Sequence, residues 1–227
     1  MRSLLISGIS GKIGLEVKKL ATNYGFNIIC GIDNNSFIDA NFPIYKSFFE
    51  VKNQVDVIVD FSSPTLCDRA VDFALENNCK FVSGTTALSD LTKEKIKRLS
   101  RITAVCLSSN FSIGIPVYNK AIGFLKRSLN EFDVSMSEIH NKNKKDSPSG
   151  TAKQICGENG IDYVLSIRGG SIPGTHTTYF LGNGEEIEIT HRAYDKSVFA
   201  HGALKCANKL LQIEKGLFAS FELMQTP

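Results

Sequence analysis

An apolar run that ends in a glycine-spaced loop and then turns helical sets the first limit on how this chain can fold. Residues 3–7 read as a buried strand, Gly8-Ile9-Ser10-Gly11-Lys12-Ile13-Gly14 follows at once, and Ile13, Val17, Leu20 and Ala21 then repeat at helical spacing. The order strand, tight glycine turn, helix opens a βαβ unit, and such units build parallel sheets. Further short apolar runs at 26–32, 55–61, 80–83 and 104–107 read as strands covered on both faces by crossover helices. Ser63 followed by Pro64 is a cap and first-turn pair for one of those helices. The expected fold class is α/β, a Rossmann-like doubly wound parallel sheet.

After Asn110 the pattern changes. A helical stretch over 116–129 precedes strand-like runs at 133–140, 163–168, 176–181 and 185–191, with Gly182-Asn183-Gly184 as a hairpin turn between the last two. These predict a second, smaller α+β domain with a mixed sheet. The expected division is a dinucleotide-binding domain at 1–110, a substrate-binding and oligomerisation domain at 111–199, and a C-terminal helix at 200–227 packing back on the first. Gly8 and Lys12 cut the N-terminal apolar run too early for a secretory leader, and no apolar run is long enough to span a membrane, so a cytoplasmic protein with no membrane partner is expected.

With 227 residues, 42% hydrophobic and 22% charged, the chain has the composition of a globular protein of one large or two small domains, and a disordered or fibrous chain is excluded. A net charge of +3 gives no ground for a nucleic-acid partner. The six cysteines, with no C-x-x-C pair and several inside apolar runs, read as reduced, buried thiols. His140, His176, His191 and His201 are widely spaced, and no metal site is expected.

Two clusters carry chemistry. In the first, the glycines at 8, 11 and 14 permit a tight turn and close approach to a pyrophosphate, with N–H groups of the helix start facing the negative charge. Asp33, 19 residues past Gly14 and at the end of the second strand, is placed to accept from the adenosine ribose hydroxyls. Asn34 and Asn35 follow it and no arginine offers itself to a 2′-phosphate, so NADH is expected to serve at least as well as NADPH. Gly84-Thr85-Thr86 and Ser108-Ser109-Asn110-Phe111 follow later strands, at the carboxyl ends where open α/β sheets bind ligands. Taken alone, they also suit ordinary polar turns.

The second cluster runs from Glu138 to Lys153. A strand ends at His140, a basic loop with Lys142, Lys144 and Lys145 follows, and Pro148-Ser149-Gly150-Thr151 opens a helix. Backbone N–H groups there, with the Ser and Thr hydroxyls and the charge of Lys144, suit a carboxylate, and a histidine beside them moves protons near neutral pH. A solvated lysine loop, a helix-capping Ser149 and a strand-end His140 are the plain alternatives. No P-loop and no G-x-S-x-G elbow is present.

Nearly the whole chain resembles the dihydrodipicolinate reductases of lysine and diaminopimelate biosynthesis. The resemblance rests on the glycine loop, Asp60-Phe61-Ser62, Gly84-Thr85-Thr86, Asn110-Phe111-Ser112-Ile113-Gly114, the signature from His140 to Thr151, Ile189-Thr190-His191-Arg192-Ala193 and Phe199-Ala200-His201-Gly202-Ala203. It implies reduction of a cyclic dihydrodipicolinate-type dicarboxylate by NADH or NADPH, with His140 and Lys144 as the acid–base pair. It further implies nicotinamide-cofactor binding at Gly8, Ile9, Ser10, Gly11, Lys12, Ile13, Asp33, Gly84, Thr85, Thr86, Ser108, Ser109, Asn110 and Phe111. The substrate falls to Asn141, Ser149, Gly150 and Thr151, and the implied assembly is a homotetramer built through the sheet of the second domain. Asn141 stands where the family commonly has a second histidine, Ala87 stands where it has a glycine, and the stretch from Cys156 to Arg168 is short. Another NAD(P)-dependent dehydrogenase of a small amino-acid-derived acid, or an NAD-sensing module without catalysis, are the rival readings; only the reductase needs Gly150 and Thr151.

Overall fold

The computed structural model describes residues 1–34 and 39–225 and divides the chain into two compact units, 1–111 with 197–227 and 112–196. In chain order the first unit contains β1 (Arg2–Ser7), α1 (Lys12–Leu20), β2 (Phe26–Ile32), β3 (Ile44–Tyr45), β4 (Val57–Asp60), α2 (Pro64–Asn77), β5 (Lys80–Ser83), α3 (Asp90–Leu99) and β6 (Ala104–Leu107). The second contains α4 (Gly114–Ser128), β7 (Asp133–His140), α5 (Gly150–Asn159), β8 (Tyr163–Arg168), β9 (Gly174–Leu181) and β10 (Glu186–Ala193). The chain returns to the first unit through α6 (Ser197–Leu210), β11 (Gly216–Phe218) and α7 (Ser220–Gln225).

The strands of the first unit form one parallel sheet in the order β11-β6-β5-β4-β1-β2-β3. Side chains alternate across it. Leu4, Ile6, Val57 and Val59 enter a core shared with Val17 of α1 and Ala203, Leu204 and Ala207 of α6, whereas Leu5, Ile58, Phe81 and Val105 enter one shared with Val71 of α2 and Ile96 of α3. That double coverage is why the strands read as unbroken apolar runs. Ser63 caps α2 by accepting from Leu66 N at 3.3 Å, with Pro64 at the first helical position.

The second unit is a mixed four-stranded sheet, β10-β9-β7-β8, in which β8 runs parallel to β7 and β9 runs antiparallel to both β7 and β10. The hairpin turn closes with Gly182 N donating to Glu185 O at 2.9 Å, and Gly184 takes φ +90, which glycine adopts readily. One face of the sheet packs on α4 and α5 through Tyr118, Ile122, Met136, Ala152, Ile155 and Phe180.

The expected single helix over 200–227 is corrected. α6 starts at Ser197 and ends at Leu210, the ammonium of Lys80 takes the carbonyls of Ile213 and Glu214 at 2.7 Å each, and Gly216 turns the chain at φ +139. Leu217 and Phe218 then pair with Val105 and Cys106 as an added edge strand. Turns with Gln212 N donating to Lys209 O and Ile213 N to Leu210 O follow the helix end, and Lys80 then holds the connection that leads into the strand. Thr226 and Pro227 lie outside the described residues, as does Asn35.

Candidate active site

Two positions of the glycine loop have no room for a side chain. A Cβ on Gly8, which sits at φ +77, would lie 2.4 Å from Phe61 O, and one on Gly14 would lie 2.2 Å from Gly8 O. Gly11 N donates to Gly8 O at 3.0 Å and Gly11 caps α1 without a side-chain hydrogen bond, leaving the first turn of that helix to backbone N–H groups. Asp33 reaches back to the same loop, its Oδ2 accepting from Ser10 N at 2.9 Å. A cradle that excludes Cβ atoms, a helix start without a side-chain cap and an acid at the end of β2 fit a dinucleotide.

Beside the loop, Asp60 is fully buried at the end of β4 and gathers hydroxyls: Ser83 Oγ at 2.8 Å, Thr85 Oγ1 at 2.7 Å and Ser62 Oγ. Thr85 also accepts from Ser62 N at 3.0 Å, so its hydroxyl ties strand ends together. Ile9 and Phe111 are in the core, where Phe111 packs edge-on against Phe61 at 5.4 Å, so these two offer a ligand only backbone. Asn110 O accepts from Ser108 Oγ at 2.8 Å and Ser220 Oγ at 2.7 Å, which fixes the loop after β6. Gly84 cannot carry a Cβ beside the Phe61 ring, 2.1 Å away, and Thr86 is exposed.

In the second unit, alternation along β7 puts Glu138 and His140 on one face of the sheet, and the pairing register sets His176 opposite Glu138, Arg168 beside His140 and His191 opposite His176. Arg168 forks onto Glu138, Nη1 to Oε2 at 2.9 Å and Nη2 to Oε1 at 2.7 Å; Ser149 N donates to Oε1 at 3.2 Å; and His140 Nδ1 bonds to Oε2. The rings of His140 and His176 stand edge to face at 5.2 Å. Burial alone works to raise the Glu138 carboxyl, but the Arg168 guanidinium and the bond from His140 outweigh it and hold the group down at about 2. Burial pushes His140 below the usual imidazole range; Glu138 opposes that, and Lys144 and Arg168 add to it. His176, more deeply buried, falls to about 3.

At the start of α5, Ser149 is buried and its hydroxyl caps the helix, accepting from Ala152 N at 3.1 Å and lying 3.4 Å from His176 Nε2. The Asp146 carboxylate bridges Lys144 Nζ at 2.8 Å and Gly150 N at 3.1 Å. Asn141 holds its own loop, Oδ1 accepting from Asn143 N at 3.1 Å. His140, Lys144, Ser149 and Gly150 thus belong to one connected cluster. Glu138, Arg168 and His176 were not singled out from sequence. The Glu-x-His alternation was a signal for the first, whereas Arg168 and His176 depend on strand register.

Models described as dihydrodipicolinate reductase, N-terminus, and dihydrodipicolinate reductase, C-terminus, match residues 2–111 and 114–224. The chain belongs to the dihydrodipicolinate reductase family. It is therefore an NAD(P)H-dependent oxidoreductase of lysine and diaminopimelate biosynthesis. The 4-hydroxy-tetrahydrodipicolinate reductase of Thermosipho africanus (strain TCF52B) is 36% identical over 97% of this chain and 96% of its own length. That of Clostridium novyi (strain NT) is 33% identical over 100% and 99%. Among solved structures, a dipicolinate-bound dihydrodipicolinate reductase from Paenisporosarcina sp. TG-14 superposes with a TM-score of 0.80 at 21% identity, covering 96% of this chain and 97% of that one, a likeness of fold. The fold is also similar to that of an amine dehydrogenase from Mycobacterium smegmatis, with a TM-score of 0.63 at 10% identity over 100% and 96% of the two chains. The rival reading of a non-catalytic sensor gives way to the family.

Proposed function

We propose that the chain reduces a cyclic dihydrodipicolinate-type dicarboxylate to tetrahydrodipicolinate with a hydride from NADH or NADPH, the dicarboxylate being held at the start of α5. The observation that carries this reading is that Lys144 and the Gly150 amide hold one carboxylate, that of Asp146, while His140 is bound to Glu138, which also accepts from Ser149 N at the start of the same helix. Two cationic or N–H donors that hold an internal carboxylate suit the carboxylate of a substrate that takes its place. Gly150 and Thr151 would orient that group and Lys144 would match its charge.

In the first unit the backbone of Gly8, Ile9, Ser10, Gly11, Lys12 and Ile13 would hold the pyrophosphate, Asp33 the adenosine ribose, and the loops at 84–86 and 108–111 the nicotinamide end. When bound, the reduced nicotinamide supplies the hydride. His140 holds a proton for the ring carbon on which charge is left, and Lys144 keeps the substrate anion in place. His140→Ala is expected to lower kcat by about 10²-fold with NADH affinity unchanged. Unchanged turnover of freshly made substrate, followed by NADH absorbance, removes His140 from the mechanism.

With the Asp33 carboxylate at the ribose, where it would repel a 2′-phosphate, NADH should serve at least as well as NADPH. The ratio of kcat/KM for the two nucleotides tests this, and a large NADPH preference counts against it. The reading extends to a homotetramer through the sheet of the second unit and to the cytosol, the latter supported by six buried, unpaired cysteines.

A further inference from the structure

We propose that Glu138 is a positioning residue for the reduction: its carboxylate fixes His140 with a proton on Nδ1, so that Nε2 is the nitrogen that gives a proton to substrate. The proposal rests on the reading of His140 as proton donor.

The geometry leaves Glu138 no other state. It is fully buried, and its two oxygens accept from Arg168 Nη1 and Nη2, Ser149 N and His140 Nδ1. A carboxylate that accepts a bidentate guanidinium is ionised and donates nothing, so the nitrogen facing it must be the N–H. Among the described residues Nε2 has no hydrogen-bond partner. The backbone of Gly174 lies against that edge of the ring, where a Cβ would come within 2.9 Å of Nε2. In the step itself, the N–H bond at Nε2 breaks, a C–H bond forms on the reduced ring, and the imidazole is left neutral with its other proton still on Nδ1. No proton passes to Glu138, which acts by orienting the ring and opposing its positive charge.

The charged and titratable groups facing His140 are Glu138 on its own strand, Arg168 from β8, His176 from β9, with His191 of β10 beyond it, and Lys144 from the following loop. Only Glu138 favours the imidazolium. Arg168 and Lys144 work against it, and a neutral His176 adds no charge. Two substitutions in the same ion pair should therefore move His140 in opposite directions.

The test combines the nitrogen-15 spectrum of the imidazoles in the intact protein with pH profiles of kcat. In the wild type, the neutral His140 ring should carry its proton on Nδ1. In Glu138→Gln the alkaline loss of activity should move down by about one to three pH units, the range for losing an opposite charge in contact, with kcat reduced while KM and NADH affinity hold. In Arg168→Gln it should move up. A neutral wild-type ring protonated on Nε2, or activity lost in both variants with an unmoved pH profile, overturns the proposal. The spectrum and the Arg168→Gln profile decide it even if Glu138→Gln does not fold. Should the protein fail to reduce the dicarboxylate at all, the functional reading falls, whereas the spectrum still reports the tautomer.

Discussion

Ala87 holds φ +57 in the loop after β5, at the position where the family commonly has a glycine. The left-handed conformation costs an alanine roughly 1–2 kcal/mol, whereas glycine adopts it freely but loses more chain entropy on folding. The balance predicts that Ala87→Gly stabilises the protein by up to about 1 kcal/mol, read as a shift in the urea midpoint at unchanged slope. No shift, or a destabilisation, refutes it. At this scale sequence reveals residue type and spacing but not where each hydroxyl or ring is spent. The glycines at 8 and 14 were legible because a backbone contact forbids their Cβ atoms, and at 11 a Cβ would lie 3.1 Å from Gly8 O. Which of the two readings of Ser149, substrate ligand or helix cap, its hydroxyl serves in the folded chain, and that the Phe111 ring lies in the core, could not be read from sequence, because burial is a tertiary property; the Ser149 hydroxyl caps α5.

Across the second sheet, His140, His176 and His191 stand on three different strands on one face, and burial lowers all three imidazoles. The sign follows. Each folded value lies below the unfolded one of 6.5, so as pH falls below that point the unfolded chain takes up protons that the folded chain refuses. Stability should be full above about pH 6.5 and decline toward about pH 3, where His176 itself protonates. The urea midpoint between pH 7 and pH 4 measures this, and His176→Gln should flatten the slope; a wild-type midpoint independent of pH contradicts it. The strands carrying these residues could be read from sequence: β7 has the bounds expected of it, and β9 and β10 lie within two residues of theirs. The two-residue β3 and three-residue β11 could not, being too short to show a period and existing only by pairing with β2 and β6.

At the scale of the molecule, the sheet of the second unit has one face on α4 and α5, and on the other Tyr163, Leu165 and Ile167 of its edge strand are 75%, 63% and 42% exposed. A row of large apolar side chains on a sheet face is the kind of surface another copy covers. Leu165→Glu should therefore leave the monomer folded and break the proposed tetramer, as sedimentation velocity would show; an unaltered assembly excludes this face. The six cysteines make no such surface, all of them lying buried. The first unit, by contrast, draws on distant stretches of chain: Ala203, Leu204 and Ala207 of α6 fill its core, and β11 completes the edge beside β6. On the ribosome, then, the first 111 residues emerge with one side of their sheet covered by α1 alone, and the whole intervening unit is made before α6 and the last strand arrive to complete that core.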